Sequence, residues 1–205
     1  MKHLYLIFIF ICWGCYGQLV VRDLYGSDRE ESGAYYKDTY NDFDKIVGTW
    51  KYTNGTTSLT IVLQKKLRQP VYDYSLFYEM DYIVGGYKYV ENGVEKINTL
   101  AQLQQNMEPE KYAIEGFTIA GPQSVYCVDC GSNDRVFLLG YLEPNSSAFI
   151  METEMLFQRA DSGGVQKLKL DFRTLYSAPE DVTQPATPDE RYTIPFGEYI
   201  LTKVN

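Results

Sequence analysis

Asp42-Phe43-Asp44-Lys45-Ile46-Val47-Gly48-Thr49-Trp50 decides how this chain is read. A glycine one residue ahead of a tryptophan, at the start of a strand, suits a small closed barrel. The glycine admits close backbone approach, and the indole is large enough to plug one end. Four residues beyond Trp50 comes Asn54-Gly55, a two-residue hairpin signal. The next run, Thr57–Lys66, alternates: Leu59, Ile61 and Leu63 fall on one face, with Ser58, Thr60 and Gln64 on the other.

The same period continues outward. Ile83, Tyr87 and Tyr89 share a face before Asn92-Gly93 turns the chain into Val94–Asn98. Further strands are predicted at Tyr112–Ala120, around Val125 and over Asp134–Leu142. Phe149, Met151, Met155 and Phe157 alternate with Glu152, Glu154 and Gln158. After Asp161-Ser162-Gly163-Gly164, Leu168, Leu170, Phe172 and Tyr176 oppose Lys167, Lys169, Asp171 and Arg173. Ser177–Tyr192 is an acidic, proline-bearing loop, and Thr193–Val204 a closing strand. Asn98–Met107 is the one helix candidate, stopped by Pro109. The pattern predicts an all-β fold: an antiparallel up-and-down barrel of about nine or ten strands with at most one short helix. Closure also removes the strand edges that invite aggregation.

Residues 1–17 read as a signal peptide, 18–42 as an N-terminal arm and 43–205 as the barrel domain. Lys2 and His3 precede an apolar run from Leu4 to Trp13, and Cys15-Tyr16-Gly17 forms a small-x-small cleavage signature. The run falls short of the roughly 20 apolar residues of a membrane span. A second reading makes Cys15 the acylated cysteine of a lipoprotein. Export to the periplasm or outside the cell is expected. Without the leader, 27 acidic residues face 18 basic ones, a net charge of −9. That balance argues against nucleic acid as a partner, because its phosphates call for a basic surface. The single histidine, His3, leaves with the leader. The remaining chain has no Ser-His-Asp or Cys-His machinery and no histidine for a metal site. No cofactor is expected, and no catalytic residue is assigned. Cys127 and Cys130 are too few for a four-ligand zinc site. In an oxidising compartment they read as a local disulfide, with a redox-active pair as the alternative.

The stretch from Phe43 through Gly48-Thr49-Trp50, together with the closing Phe196–Lys203, resembles the lipocalin/calycin superfamily. Those proteins lead a short helical turn into Gly-x-Trp on the first barrel strand. The resemblance implies a plug formed by Gly48 and Trp50 with a cation from a late strand stacked on the indole. Arg173 is the first candidate and Lys203 the second. Over nearly its full length the chain also resembles a family of secreted flavobacterial (Bacteroidota) proteins carrying a domain of unknown function. Gly33–Thr39, Gly48–Gly55 and Tyr89–Lys96 carry that likeness.

Tyr72, Tyr74, Phe77, Tyr78, Tyr82, Tyr87 and Tyr89 form the densest aromatic group. Of these, Tyr74, Tyr78, Tyr87 and Tyr89 are the candidate lining for a small apolar or amphipathic ligand. The 70–82 segment and the 177–192 loop would edge the mouth, with Trp50 at the opposite end. The alternative is a cell-envelope structural or protein-interaction module whose barrel is filled by its own side chains. A monomer without a membrane span is assumed in both cases. Glu152 and Glu154 could act as paired carboxylates, but their alternation with Phe and Met marks an outward face. Asp129–Asp134 offers oxygen atoms around Gly131 yet lacks the spacing of a calcium loop, and reads as a turn.

Overall fold

The computed structural model describes residues 19–29, 31–127, 130–144, 153–174 and 192–204. Among them one continuous sheet holds eleven strands: β1 (Val21–Asp23), β2 (Tyr35–Lys37), β3 (Gly48–Asn54), β4 (Thr57–Asp73), β5 (Leu76–Glu91), β6 (Val94–Asn98), β7 (Ile114–Ala120), β8 (Val136–Tyr141), β9 (Thr153–Arg159), β10 (Lys167–Thr174) and β11 (Gly197–Val204). Eight of these close into a barrel. β3, β4, β5, β7, β8, β9, β10 and β11 follow one another, every pair antiparallel, and β11 returns to β3 through Lys203↔Trp50. Two-residue turns set β3, β4 and β5 side by side, and the later barrel strands follow in the same order through longer connections. No helix among the described residues is long and apolar enough to cross a membrane.

Register shows which residues the period-2 pattern sends inward. Trp50 lies opposite Ile61, and Ile61 opposite Tyr87. Phe137, Phe157, Leu170 and Tyr199 form a second row across β8 to β11. These side chains join a single buried apolar cluster that takes in every barrel strand. Gly85 belongs to the same packing: a β-carbon there would stand 2.7 Å from Leu63 Cδ2 and 3.2 Å from the Ile114 side chain. Its absence lets Leu63 and Ile114 fill the axis.

The hairpin of β4 and β5 differs from expectation. β3 stops pairing at Gly48↔Leu63, but β4 runs on to Asp73, so the hairpin projects past the Trp50 end of the barrel. The 70–82 segment therefore lies at the same end as Trp50, and not at an opposite mouth. Period-2 alternation cannot report where a neighbouring strand ends. β2 pairs in parallel with this projection, Tyr35↔Glu79, so the arm is built into the sheet. The outer edge of β4 beyond Leu63 carries Lys65, Lys66, Arg68 and Pro70 and a register shift between Lys66 and Gln69. Cations, proline and a bulge are what discourage another strand from adding to such an edge.

Two further expectations are corrected. The helix candidate at 98–107 is a 3₁₀ turn, Leu100–Gln104. Thr99 exchanges hydrogen bonds with the Tyr87 backbone, which ties the turn tightly to β5 and leaves no length for an α-helix. The stretch around Val125 forms turns and no strand, because Gly121 to Cys127 bonds to itself locally.

Candidate functional site

The Trp50 end is built from the 3₁₀ turn Asp42–Lys45, which leads into β3. Phe43, Ile46 and Trp50 are fully buried, and the indole N–H donates to the Ile46 carbonyl at 2.6 Å. Two cations face the indole: Lys203 Nζ at 4.5 Å and the Arg159 guanidinium at 5.3 Å from its ring. Lys203 also donates to the Val47 carbonyl at 2.5 Å. Burial, then the nearby Arg159 charge, lowers its pKa below the usual lysine value. Gly48 makes room: at φ +118° it bears no β-carbon, which would stand 2.5 Å from Lys203 Nζ. Arg173 takes no part in this plug. On β10 it alternates with the inward Leu170 and Phe172, so it points outward, stacks over Tyr126 at 5.6 Å and pairs with Glu154 at 2.7 Å.

The four tyrosines chosen as a ligand lining do not meet. Tyr74 sits fully exposed at the hairpin tip, while Tyr78 packs edge-on against Tyr36 beneath the arm. Tyr87 and Tyr89 lie inside the barrel, with Tyr87 near its middle and Tyr89 toward the far end. Sixteen residues of one strand carry Leu76 to Glu91 from beyond one end of the barrel to the other, which separates side chains that are close in sequence.

From the middle of the barrel toward its far end runs a group that the sequence reading missed. Tyr87 and Tyr141 share a hydroxyl–hydroxyl bond of 2.8 Å, and Tyr141 donates to Glu143 Oε2 at 2.5 Å. Thr193 closes the chain, its backbone N–H and hydroxyl donating to Glu143 at 3.0 and 2.6 Å. Burial, then Tyr87 and the Glu143 bond, raises the Tyr141 pKa far above the ordinary phenol. Tyr141, Phe172, Tyr192 and Phe196 then stack on one another with centroids 4.8–6.4 Å apart. Tyr199 bonds the Pro195 carbonyl at 2.6 Å. Tyr192 and Ile194 thus join the buried cluster at this end of the barrel, with Phe196 packed against it. Thr193–Val204 reads as one strand in sequence, but the strand begins only at Gly197. Glu143-Pro144 signals no more than a strand end.

Other buried carboxylates serve the scaffold. Asp38 accepts from the Asp42 and Phe43 N–H groups, and Asp42 pairs with Lys45 and Arg135. Asp81 accepts from Tyr35 Oη and from the Asp38 and Arg68 N–H groups. Glu154 lies on the outer face of β9, paired with Arg173, while Glu152 falls outside the described residues. Asp134 caps its own turn by accepting from Gly131 at 2.8 Å, and Asp129 is also outside the described residues.

Glu115 is different, since burial, then the nearby Glu110 charge, raises its pKa above the usual glutamate value. A raised folded pKa favours the protonated form. Its contribution to stability is full below the unfolded pKa and lost as pH rises through the folded one. Glu115→Gln should therefore raise stability at pH 7 by about 0.5–2 kcal/mol, the usual yield of a corrected charge. The gain should vanish in acid, below the unfolded pKa. Thermal melts across that range check it.

Cys127 and Cys130 form a disulfide with Cα atoms 5.2 Å apart. It closes a tight turn within the loop after β7, and Cys127 packs with Ala120, Val136 and Leu156 in a second apolar cluster on the outer wall.

Fold and interior together define an eight-stranded antiparallel barrel stoppered at one end by a cation-flanked tryptophan and at the other by its own aromatic segment. The chain belongs to a family of unknown function (DUF6705), whose model matches residues 1–204. No curated protein and no solved structure matches it.

Proposed function

We propose that the protein is an exported, non-catalytic barrel that acts by contact with a partner protein, and that its barrel is a solid scaffold. The carrying observation is the interior: inward side chains of all eight barrel strands and of the Tyr192–Phe196 segment pack into one cluster. Export is supported by the leader-like start of the chain and by the Cys127–Cys130 disulfide, a bond that persists in oxidising compartments. The contact surface in this reading is the projecting hairpin. Tyr72 and Phe77 pair across it with rings 5.0 Å apart, 79% and 41% exposed, beside the fully exposed Tyr74. Aromatic side chains grouped on an exposed face are the composition of interface centres.

A small amphipathic ligand within the barrel is the second reading, and the barrel class is compatible with it. Tyr52, Tyr89 and Tyr199, gathered toward the far end, favour it. In that case the Tyr192–Phe196 segment must withdraw to make a cup.

Replacing Tyr72, Tyr74 and Phe77 together by serine should abolish partner capture from the protein's own host and leave the melting temperature within a few degrees. Affinity pull-down beside thermal melting measures both. Undiminished capture by the triple variant removes the hairpin from the interface.

A further inference from the structure

Outside the barrel, the disulfide-bearing loop leaves a cleft of about 150 Å³ against β8, β9 and β10. Val125 and Tyr126 form its exposed apolar wall, above the almost fully buried Val136 and Leu156. Strand register supplies the rest. Gln158 lies opposite both Val136 and Lys169, and Leu156 opposite Asp171. Because β10 alternates, its inward Leu168, Leu170 and Phe172 leave Lys169, Asp171 and Arg173 in an outward row, spaced about 7 Å apart. The row reads plus, minus, plus.

These charges are only partly engaged with one another. Arg173 gives Nε and Nη2 to Glu154 Oε1 at 2.9 and 2.7 Å, while its Nη1 stands 3.7 Å from Asp171 Oδ2, beyond hydrogen-bond range. Lys169 pairs with Glu198 at 2.5 Å. The Arg173 guanidinium lies over the Tyr126 ring, at the edge of the apolar wall.

We infer that this cleft binds a small zwitterion with an apolar side chain, the chemical class of a free α-amino acid. A simple anion would face Asp171, and a simple cation would face Arg173 and Lys169. A ligand carrying both charges on adjacent atoms meets both, its ammonium at Asp171 and its carboxylate at Arg173 Nη1. The side chain then lies against the exposed Val125 and Tyr126. The volume agrees, since a cavity of about 150 Å³ accepts one benzene ring. This site is independent of the hairpin and of whatever the barrel encloses.

The test is a titration of the full-length, isotope-labelled protein with L-phenylalanine, followed by amide NMR. Phenethylamine and 3-phenylpropionate, each lacking one charge, serve as controls. L-phenylalanine should give saturable shifts at Tyr126, Leu156, Asp171 and Arg173, with both controls at least tenfold weaker. Asp171→Asn and Arg173→Met should each weaken L-phenylalanine binding about tenfold or more, the usual loss for a hydrogen bond to a charged group. Absence of saturable shifts at millimolar ligand overturns the inference. So does a control that binds as well as the amino acid, or shifts that map to Tyr87 and Tyr141 inside the barrel.

Discussion

Trp50→Ala should lower the free energy of unfolding by about 3–5 kcal/mol, the range for deleting a core aromatic. Trp50 is fully buried, and the substitution removes three things together. The largest is packing: the indole fills the end of the barrel against Phe43, Ile46 and Ile61. The second is the N–H bond that satisfies the Ile46 carbonyl. The third is the ring face opposite Lys203 and Arg159, two cations that would otherwise confront each other at the edge of a cavity. Trp50→Phe keeps most of the packing and part of the ring face, so it should lose less than the alanine variant. Urea denaturation of the two variants beside wild type measures the order. Wild-type stability in Trp50→Ala would show that the plug contributes nothing.

Asp81→Ala should cost about 3 kcal/mol and release the N-terminal arm while the barrel stays closed. One fully buried carboxylate accepts Tyr35 Oη at 2.6 Å, the Asp38 N–H at 3.0 Å and the Arg68 N–H at 3.1 Å. It therefore joins the arm, the turn that enters β3 and the irregular point of β4. Removing it strands three donors, each costing about 1–3 kcal/mol if left buried, with partial relief as the arm opens to water. The expected sign is proteolytic cleavage between residues 19 and 41 without loss of the barrel's cooperative melt. Hydrogen exchange should show the same: fast exchange in β1 and β2 and unchanged protection in β8 to β11. Uniform loss of protection would mean that the arm and barrel form one cooperative unit.

Much of the barrel was legible because alternation is strict where one face is buried. Leu59, Ile61, Leu63 and Leu168, Leu170, Phe172 each declare an inward row, and Asn54-Gly55 fixes a hairpin. The helical turn before Gly-x-Trp is also there, as Asp42–Lys45. Pairing partners were not legible. Arg159 and Lys203 reach Trp50 because β9 and β11 end beside it, a matter of strand offset that no local pattern encodes. Arg173 shares their chemistry but stands on the opposite face of β10. The length of the hairpin escaped for a related reason. Pro70 looks like a stop, yet it sits on an edge where no N–H is needed and the strand continues to Asp73. Glu143 was hidden in a turn signal, and its role depends on Thr193, fifty residues away.

As a solid scaffold, the barrel encloses its own side chains. A crystal of the protein under xenon pressure tests it most directly, because xenon enters dry apolar cavities without regard to ligand chemistry. The packing of Tyr87, Tyr141, Phe172, Tyr192 and Leu170 predicts no xenon on the barrel axis. Well-occupied xenon atoms ringed by those side chains would reveal a cup, and a carrier in place of a scaffold.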